Sequence, residues 1–205
     1  GSFPGLPFPN PEEVGVLAEA FRTADERNVN LVLANDPDAD RLAVAVRTKD
    51  GWNQLSGDEL GLLLCDHQLK TTTGKDRLTA SSVVSSEAVA ALCAIHDVEH
   101  VRTLTGFKWI MEPAVSRPDR NWIFGYEEAL GYSVNDAVLD KDGISAAVKF
   151  LEMIEDLGSR HLGPLERLDE LAFEIGLFVT HQASGQFESM AIESVLDALR
   201  ADPPE

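Results

Sequence analysis

Three aspartates at alternate positions form the most specific chemical pattern in the sequence. Asp36, Asp38 and Asp40 lie within residues 35–41. Carboxylates this close repel one another, so a folded protein has to offset that cost. Pro37 disfavours helix at the preceding residue, which predicts a loop or an extended segment, and alternate side chains of an extended chain share one face. Three oxygen ligands on a short loop suit Mg²⁺, which keeps further positions for water or phosphate oxygen.

Other loops with closely spaced aspartates fit this segment less well. An EF-hand needs glycine at its sixth position and glutamate at its twelfth, but counting from Asp36 these positions hold Arg41 and Arg47. A haloacid-dehalogenase phosphatase carries alternate aspartates after a buried strand, with the first as nucleophile. In that motif threonine or valine usually stands where this chain has Asp40. We favour metal binding, and the phosphatase and a solvated acidic turn stay open as alternatives.

A lysine marks a second candidate site, in the Thr-Gly-Phe-Lys segment at residues 105–108. A predicted strand ends just before it, so Thr105 is the predicted N-cap of the next helix. The free backbone N–H groups at such a helix start can hold an anion. By residue type alone, the simpler interpretation of Lys108 is an exposed surface lysine.

Paired glutamates form a third candidate site, in a segment bounded by Gly125 and Gly131. Glu127 and Glu128 follow a predicted strand, and the flanking glycines permit a tight excursion of the backbone. A carboxylate can accept hydrogen bonds from two neighbouring sugar hydroxyls, which suits sugar recognition. The alternative is a helical turn with two exposed glutamates.

Strands and helices alternate along almost the whole sequence and must position these side chains. Apolar runs predict strands at residues 31–34, 42–46, 78–84, 98–104, 122–126 and 173–180. Helical spacing and caps predict helices that begin near residues 11 and 164, or that span residues 56–69, 86–95, 143–157 and 188–200. The alternation predicts the α/β class, with mixed or mostly parallel sheets flanked by helices. In such folds, ligands bind where strands end and loops begin.

The charge balance limits the partners. The 205 residues carry 17 basic and 35 acidic side chains, a net charge of −18. Nucleic-acid binding requires a basic face, so the composition argues against DNA or RNA as a partner. No apolar run reaches the length of a membrane span, which argues against a membrane protein. Cys65 and Cys93 form no metal-binding pattern, which indicates two buried free thiols in a cytoplasmic protein.

The aspartate loop resembles the metal loop of the α-D-phosphohexomutase superfamily, which contains the phosphoglucomutases and phosphomannomutases. The resemblance implies that Asp36, Asp38 and Asp40 hold Mg²⁺, whose remaining ligand is a phosphoserine oxygen of the enzyme. It also implies that Arg41 lies close to the same phosphate and takes part in catalysis.

Later segments resemble the third domain of that superfamily, in the same order along the chain. The resemblance implies that Lys108 contacts phosphate or hydroxyl groups, or transfers a proton. It implies that Glu127 and Glu128 bind the sugar. Lys141 stands in a segment similar to the family's lysine-aspartate-glycine segment, which implies a substrate contact, with an exposed capping turn as the alternative. Ala129 replaces the family's usual serine, as in the branch that includes phosphopentomutases and some bacterial phosphomannomutases.

The resemblance further implies a piece of a larger enzyme. Residues 1–51 would be the latter part of a second domain with the metal loop, and residues 52–205 a third domain with the sugar loop and a lead into a missing fourth domain. The nucleophilic serine is expected before residue 1, in a missing first domain, and Ser81 and Ser82 are not expected to replace it.

The implied reaction is a phosphosugar mutase reaction. It interconverts a sugar 1-phosphate with a 6- or 5-phosphate, through a phosphoserine enzyme and a sugar bisphosphate. This chain alone is expected to be inactive, because the nucleophile is expected elsewhere in the polypeptide. A non-catalytic module that binds a metal or a sugar phosphate stays open as an alternative.

Overall fold

Two sheets organise the residues that the computed structural model describes, which are 9–13, 15–181 and 189–202. The first is an antiparallel meander of β1 (Leu31–Asn35), β2 (Leu42–Thr48) and β3 (Gly51–Gln54), in that order. The second contains β4 (Arg77–Ser82), β5 (Glu99–Thr103), β6 (Asn121–Glu127) and β7 (Gly131–Ser133). Its order is β5-β4-β6-β7, in which β4 is parallel to β5 and β6, and β7 is antiparallel to β6.

Eight helices accompany these sheets in the described residues. They are α1 (Ala18–Glu26), α2 (Gly57–Thr71), α3 (Ala88–Ile95), α4 (Phe107–Ile110), α5 (Glu112–Ser116), α6 (Gly143–Ser159), α7 (Pro164–Ile175) and α8 (Ser189–Ala201). The predicted α/β class with mixed sheets is confirmed, although the first sheet is antiparallel throughout.

Helix α2 lies at the centre of the fold and is buried along most of its length. A capping box fixes its start: the Glu59 amide donates to Ser56 Oγ at 3.2 Å, and the Ser56 amide donates to Glu59 Oε2 at 2.8 Å. The main core unites α2 with β2, β6 and α6 through buried side chains such as Val44, Phe124 and Phe150. Because one core spans both sheets, the loops of the first sheet are held against the second.

Some predicted elements differ from the structure. The helix predicted from residue 11 begins at Ala18, because Gly15 adopts a left-handed φ of +84° that interrupts the helical path. The strand predicted at residues 173–180 is wrong. Helix α7 continues to Ile175 and ends at Gly176, whose φ is +95°. Gly106, and not the predicted Thr105, precedes α4.

Two short strands have no counterpart among the sequence predictions. Strand β3 has four residues and β7 has three, which is too short for an alternating pattern to stand out. The last predicted helix corresponds to α8, and its residue 188 lies outside the described part of the chain.

The two cysteines lie in the main core. Both are free and buried, as predicted, and their Sγ atoms are 3.9 Å apart. They connect α2 to α3 through sulfur contact. Among the described helices, none is both long and apolar enough to cross a bilayer.

A buried ion pair ties α2 to α7. Arg167 donates from Nε to Asp66 Oδ2 at 2.9 Å and from Nη2 to Asp66 Oδ1 at 2.8 Å. Burial by itself would raise the pKa of Asp66, but hydrogen bonds from Arg167 and Lys70 outweigh it, so the pKa lies below its ordinary value. The pair is therefore charged at neutral pH and fixes α7 on the core.

Candidate active site

The aspartate loop connects β1 to β2 and folds as a turn. The Ala39 amide donates to the Asp36 carbonyl at 3.0 Å, and Ala39 has a φ of +60°. One oxygen from each of Asp36, Asp38 and Asp40 lies within 4.8 Å of the others. The three side chains converge as their spacing predicts, but a turn brings them together and not an extended chain.

Arg41 holds Asp36 in place at the base of this loop. Its Nε atom donates to Asp36 Oδ2 at 2.7 Å, and its backbone amide donates to Asp36 Oδ1 at 3.1 Å. Burial would raise the pKa of Asp36, but the hydrogen bonds and charge of Arg41 outweigh it and hold the pKa below its usual value. Asp36 is therefore a carboxylate at neutral pH, and each of its oxygens keeps a lone pair for a cation.

Asp40 has one paired and one unpaired oxygen. Its Oδ2 atom lies 2.7 Å from the Nζ atom of Lys141. Its Oδ1 atom is buried and has no hydrogen-bond partner among the described residues. A buried unsatisfied acceptor costs about 1–3 kcal/mol, and a cation between the three carboxylates would satisfy it. The loop thus offers oxygen donors from three carboxylates, and Asp40 among them has an oxygen without a hydrogen-bond partner. This donor set fits the Mg²⁺ that the family resemblance implies.

The start of α6 closes the aspartate loop from the other side. The Gly143 amide donates to the Ala39 carbonyl at 3.1 Å. A Cβ atom at Gly143 would lie 2.2 Å from the Arg41 carbonyl oxygen, so a larger residue cannot occupy this position without displacing the loop. Asn35 Nδ2 donates to the same Arg41 carbonyl at 2.7 Å. The sequence analysis missed Asn35 and Gly143 as supports of the loop, because only the fold brings them together.

The glutamate loop lies beside the aspartate loop. It connects β6 to β7, and the Leu42 amide donates to the Leu130 carbonyl at 3.1 Å. Arg41 also forms an isolated antiparallel bridge with Gly131. These backbone contacts join the two predicted site segments along one edge of the second sheet.

Glu127 ends β6 and faces Lys141. A Cβ atom at Gly131 would lie 3.0 Å from both Glu127 Cγ and Lys141 Cδ, so the two side chains flank this glycine. Burial raises the pKa of Glu127, and the charge of Lys141 and the nearby backbone of Gly106 partly oppose the rise. Glu127 is thus a half-buried acceptor with a nearby cation, which suits a role in binding hydroxyl groups.

The Glu128 carboxylate is held by two serine side chains. Its Oε2 atom accepts hydrogen bonds from Ser82 Oγ at 3.0 Å and from Ser85 Oγ at 2.8 Å. The predicted sugar contact of Glu128 stays a prediction. The contacts of the two serines were not predicted, since nothing in the sequence indicates which face of the sheet they share with Glu128.

Lys108 lies on the exposed side of α4. Its Nζ atom is 5.3 Å from the centroid of the Trp109 ring. The backbone of Gly106, which precedes α4, opposes the rise that burial causes in the pKa of Glu127, so the start of α4 lies near the glutamate loop. Lys108 is two residues further along the chain than Gly106. Its role in phosphate binding or proton transfer stays a prediction.

Two models of one protein family match this chain. The family model described as phosphoglucomutase/phosphomannomutase alpha/beta/alpha domain III matches residues 56–171. The model for domain II of the same family matches residues 1–51.

Named relatives cover most or all of this chain. A probable phosphomannomutase of Haemophilus influenzae is 42% identical over 100% of the chain and 41% of its own length. A probable phosphoribomutase of Schizosaccharomyces pombe is 36% identical over 97% of the chain and 35% of its length. The human phosphopentomutase is 40% identical over 87% of the chain and 31% of its length. The chain thus spans about two fifths, or less, of these relatives, and the predicted phosphopentomutase-like branch is confirmed.

Solved structures agree at the level of the fold. A phosphoglucomutase/phosphomannomutase family protein of Burkholderia thailandensis has a TM-score of 0.62 and 20% identity, over 80% of this chain and 33% of its own. Parafusin, a phosphoglucomutase from Paramecium, has a TM-score of 0.58 and 21% identity, over 73% of this chain and 25% of its own. With a family model that covers residues 56–171 and relatives of 36–42% identity, this chain belongs to the phosphoglucomutase/phosphomannomutase family.

Proposed function

We propose that this chain supplies the metal-binding and sugar-binding parts of the active site of a phosphosugar mutase. Such an isomerase interconverts a sugar 1-phosphate with a 6- or 5-phosphate through a phosphoserine and a sugar bisphosphate. The observation that carries the proposal is the junction of the two loops, where Lys141 lies between Asp40 of the aspartate loop and Glu127 of the glutamate loop. A metal site and a sugar-binding carboxylate within one cleft are what transfer of phosphate to a sugar requires.

In this proposal the aspartate loop binds Mg²⁺ through Asp36, Asp38 and Asp40. The metal, when bound, supplies positive charge that neutralises the oxygens of the phosphoryl group during transfer. Arg41 contributes a permanent positive charge at the base of the loop, while its hydrogen bonds keep Asp36 ionised and oriented.

The sugar is bound by the glutamate loop and its cationic neighbours. Glu127 accepts hydrogen bonds from sugar hydroxyls. Burial would lower the pKa of Lys141, but Asp40 and the neighbouring carboxylates outweigh it and raise the pKa. Lys141 is therefore protonated at neutral pH and acts as a hydrogen-bond donor to substrate, not as a base. Lys108 remains a candidate phosphate contact, since it is exposed and lies two residues after Gly106, whose backbone is near Glu127.

Several broader features belong to the same proposal. The segments 1–51 and 52–205 are assigned to the second and third domains, with β3 continuing the first sheet to Gln54. The first and fourth domains of the same polypeptide are the proposed partners, together with sugar phosphates and bisphosphates. The cytoplasm is the proposed location, because two buried free thiols suit a reducing compartment. Family membership replaces the haloacid-dehalogenase alternative.

The test is a mutase assay on the natural polypeptide that carries this chain. Glucose, mannose and ribose 1-phosphates are supplied with Mg²⁺ and a sugar-bisphosphate primer. We expect turnover of at least one substrate, and a loss of about 100-fold or more in Asp38→Asn, because the metal loses a charged ligand. Asp50→Asn, in the exposed turn between β2 and β3, is the matched control and should retain activity.

Metal binding by the 205-residue chain helps to distinguish the mutase from the remaining alternative, a non-catalytic binding module. Calorimetric titration with Mg²⁺ should show binding that Asp38→Asn weakens. If the natural polypeptide turns over none of these substrates although Mg²⁺ binds, the non-catalytic binding module is the better description. If neither binding nor turnover is found, the proposed function is wrong.

A further inference from the structure

Two buried serines at the carboxyl end of β4 are not used by the proposed reaction. Ser82 and Ser85 are 0% and 5% exposed, although the intervening Val83 and Val84 are about half exposed. Their Oγ atoms lie 2.8 Å apart, and the Ser85 amide donates to Ser82 Oγ at 3.1 Å. The turn therefore buries both serine hydroxyls and leaves its two valine side chains partly in solvent. Burying two hydroxyls has a free-energy cost unless both find partners.

Their shared partner is Glu128. Both hydroxyls donate to its Oε2 atom, at 3.0 Å from Ser82 and 2.8 Å from Ser85. In return, the Glu128 backbone amide donates to Ser85 Oγ at 3.2 Å. Carboxylate and amide of the same residue are thus held by one turn. Hydrogen bonds to a charged group are about twice as strong as neutral ones.

The opposite side of the glutamate loop is held as well. A Cβ atom at Gly57, the first residue of α2, would lie 1.7 Å from the Glu128 carbonyl oxygen, so helix and loop are in close backbone contact. The next residue, Asp58, accepts at Oδ1 from the Tyr126 hydroxyl at 3.0 Å and from the Ser86 amide at 2.8 Å. Tyr126 and Glu128 are therefore both anchored to the turn after β4.

The residue between these two anchors is Glu127. Along a strand and its continuation, neighbouring side chains point to opposite faces, so fixing residues 126 and 128 on one side directs residue 127 to the other. There Glu127 lies near Lys141, which pairs with Asp40 of the aspartate loop.

We infer that Ser82 and Ser85 are positioning residues, which hold Glu128 as a structural anchor and thereby direct Glu127 toward the bound sugar. The part of the inference that concerns the sugar rests on the proposed function. The part that concerns the anchoring of Glu128 rests on the hydrogen bonds alone. It assigns Glu128 a structural role in place of the sugar contact that the sequence predicts.

The anchor is tested by amide hydrogen exchange on the 205-residue chain. In Ser85→Ala the Glu128 amide loses its acceptor, and its exchange should become at least about five times faster. Ser81→Ala is the matched control. Ser81 is also fully buried on β4, but its hydroxyl contacts His100 Nε2 at 3.0 Å. The amides of α2 report any general loss of stability. Unchanged exchange at Glu128, or a rise that is uniform over all amides, would overturn the anchor.

The effect on the sugar is tested by kinetics of the natural polypeptide. We expect Ser85→Ala to raise the KM for the preferred sugar 1-phosphate about 10-fold while kcat changes less, because a misdirected Glu127 loses binding energy present in ground and transition states alike. Ser82→Ala should act in the same direction, and Ser81→Ala should keep the wild-type KM.

The two readouts fail in different ways. If Glu128 itself contacts the sugar, freeing its carboxylate from Ser85 will leave KM unchanged or lower it, and the positioning role is then refuted. If the unmodified enzyme turns over no sugar phosphate, the proposed function fails and the sugar part of the inference fails with it. The exchange result then still decides whether the two serines anchor the loop.

Discussion

The Nζ atom of Lys141 lies 2.7 Å from the Oδ2 atom of Asp40. This ion pair joins the loop of the first sheet to the segment that precedes α6. Both side chains are mostly buried, with exposed fractions of 20% and 29%. One carboxylate oxygen of Asp40 is thereby paired with a cation, and the other has no hydrogen-bond partner among the described residues.

Removal of this lysine should strengthen metal binding. In Lys141→Met the positive charge beside Asp40 is lost, so the site attracts a divalent cation more strongly. A gain of about fivefold in Mg²⁺ affinity, or about 1 kcal/mol, is expected for a partly exposed pair. Calorimetric titration of the 205-residue chain measures it. Lys149→Met is the control, since Lys149 lies within α6 and pairs with Glu152 of the same helix. Weaker Mg²⁺ binding by Lys141→Met would mean that the lysine orients Asp40.

The same substitution should shift the titration of Glu127. Burial raises its pKa and Lys141 opposes that rise, so Lys141→Met should raise the pKa further. A carboxyl group whose folded pKa is raised stabilises the fold below its ordinary pKa, and this contribution is lost as pH increases through the folded pKa. NMR titration of the Glu127 carboxyl carbon tests the shift, with Lys149→Met again as control. A lower pKa in Lys141→Met would contradict the expectation.

A methyl group at Gly143 should disrupt the aspartate loop. Its Cβ would lie 2.2 Å from the Arg41 carbonyl oxygen and 2.4 Å from Asn35 Nδ2. We expect Gly143→Ala to lose about 2 kcal/mol of stability, or more, and to bind Mg²⁺ more weakly, because the loop must move.

Gly158 in the same helix provides the matched control for this change. A Cβ there meets nothing within 4 Å, so Gly158→Ala should be neutral or about 0.5–1 kcal/mol more stable. Urea denaturation of both variants gives the comparison. Equal stability of Gly143→Ala and the unmodified chain would show that the contact between residue 143 and the Arg41 carbonyl does not require glycine.

The buried Arg167 should be necessary for stability. Arg167→Met leaves the buried Asp66 with the partly exposed Lys70 as its remaining partner. Loss of one partner of a buried pair costs up to about 3–5 kcal/mol, and Lys70 should keep the loss toward the lower end of that range. Arg160→Met is the control, because Arg160 forms an exposed pair with Glu170 and such pairs contribute little to stability. Urea denaturation at neutral pH measures both.

The pH dependence of this loss has a definite sign. The lowered pKa of Asp66 means that its contribution is present above the ordinary carboxyl pKa and is lost as pH falls through the folded pKa. Without Arg167, Asp66 binds a proton more readily. The difference in the free energy of unfolding between the two chains should therefore shrink below about pH 4. A difference that is independent of pH would indicate lost packing and not a lost ion pair.

The sequence by itself determined the fold class, most of the longer elements and the convergence of the three aspartates in one loop. Local signals sufficed there. Ser56 and Glu59 are three positions apart and form the capping box within one turn, and the three aspartates lie within five consecutive residues. Patterns failed where the element was very short, as in β3 and β7. They also failed where a left-handed glycine delayed the start of a helix, as at Gly15, or ended one, as at Gly176.

Only the tertiary structure decided how the site segments meet. Asp40 and Lys141 pair across about 100 positions of sequence, and Ser85 meets Glu128 across 43. The direction in which Glu128 points and the need for glycine at residue 143 follow from the core that holds both sheets together. Periodicity and capping report interactions within a few residues, whereas contacts between distant segments depend on how elements pack. A single sequence does not contain that information in any local pattern.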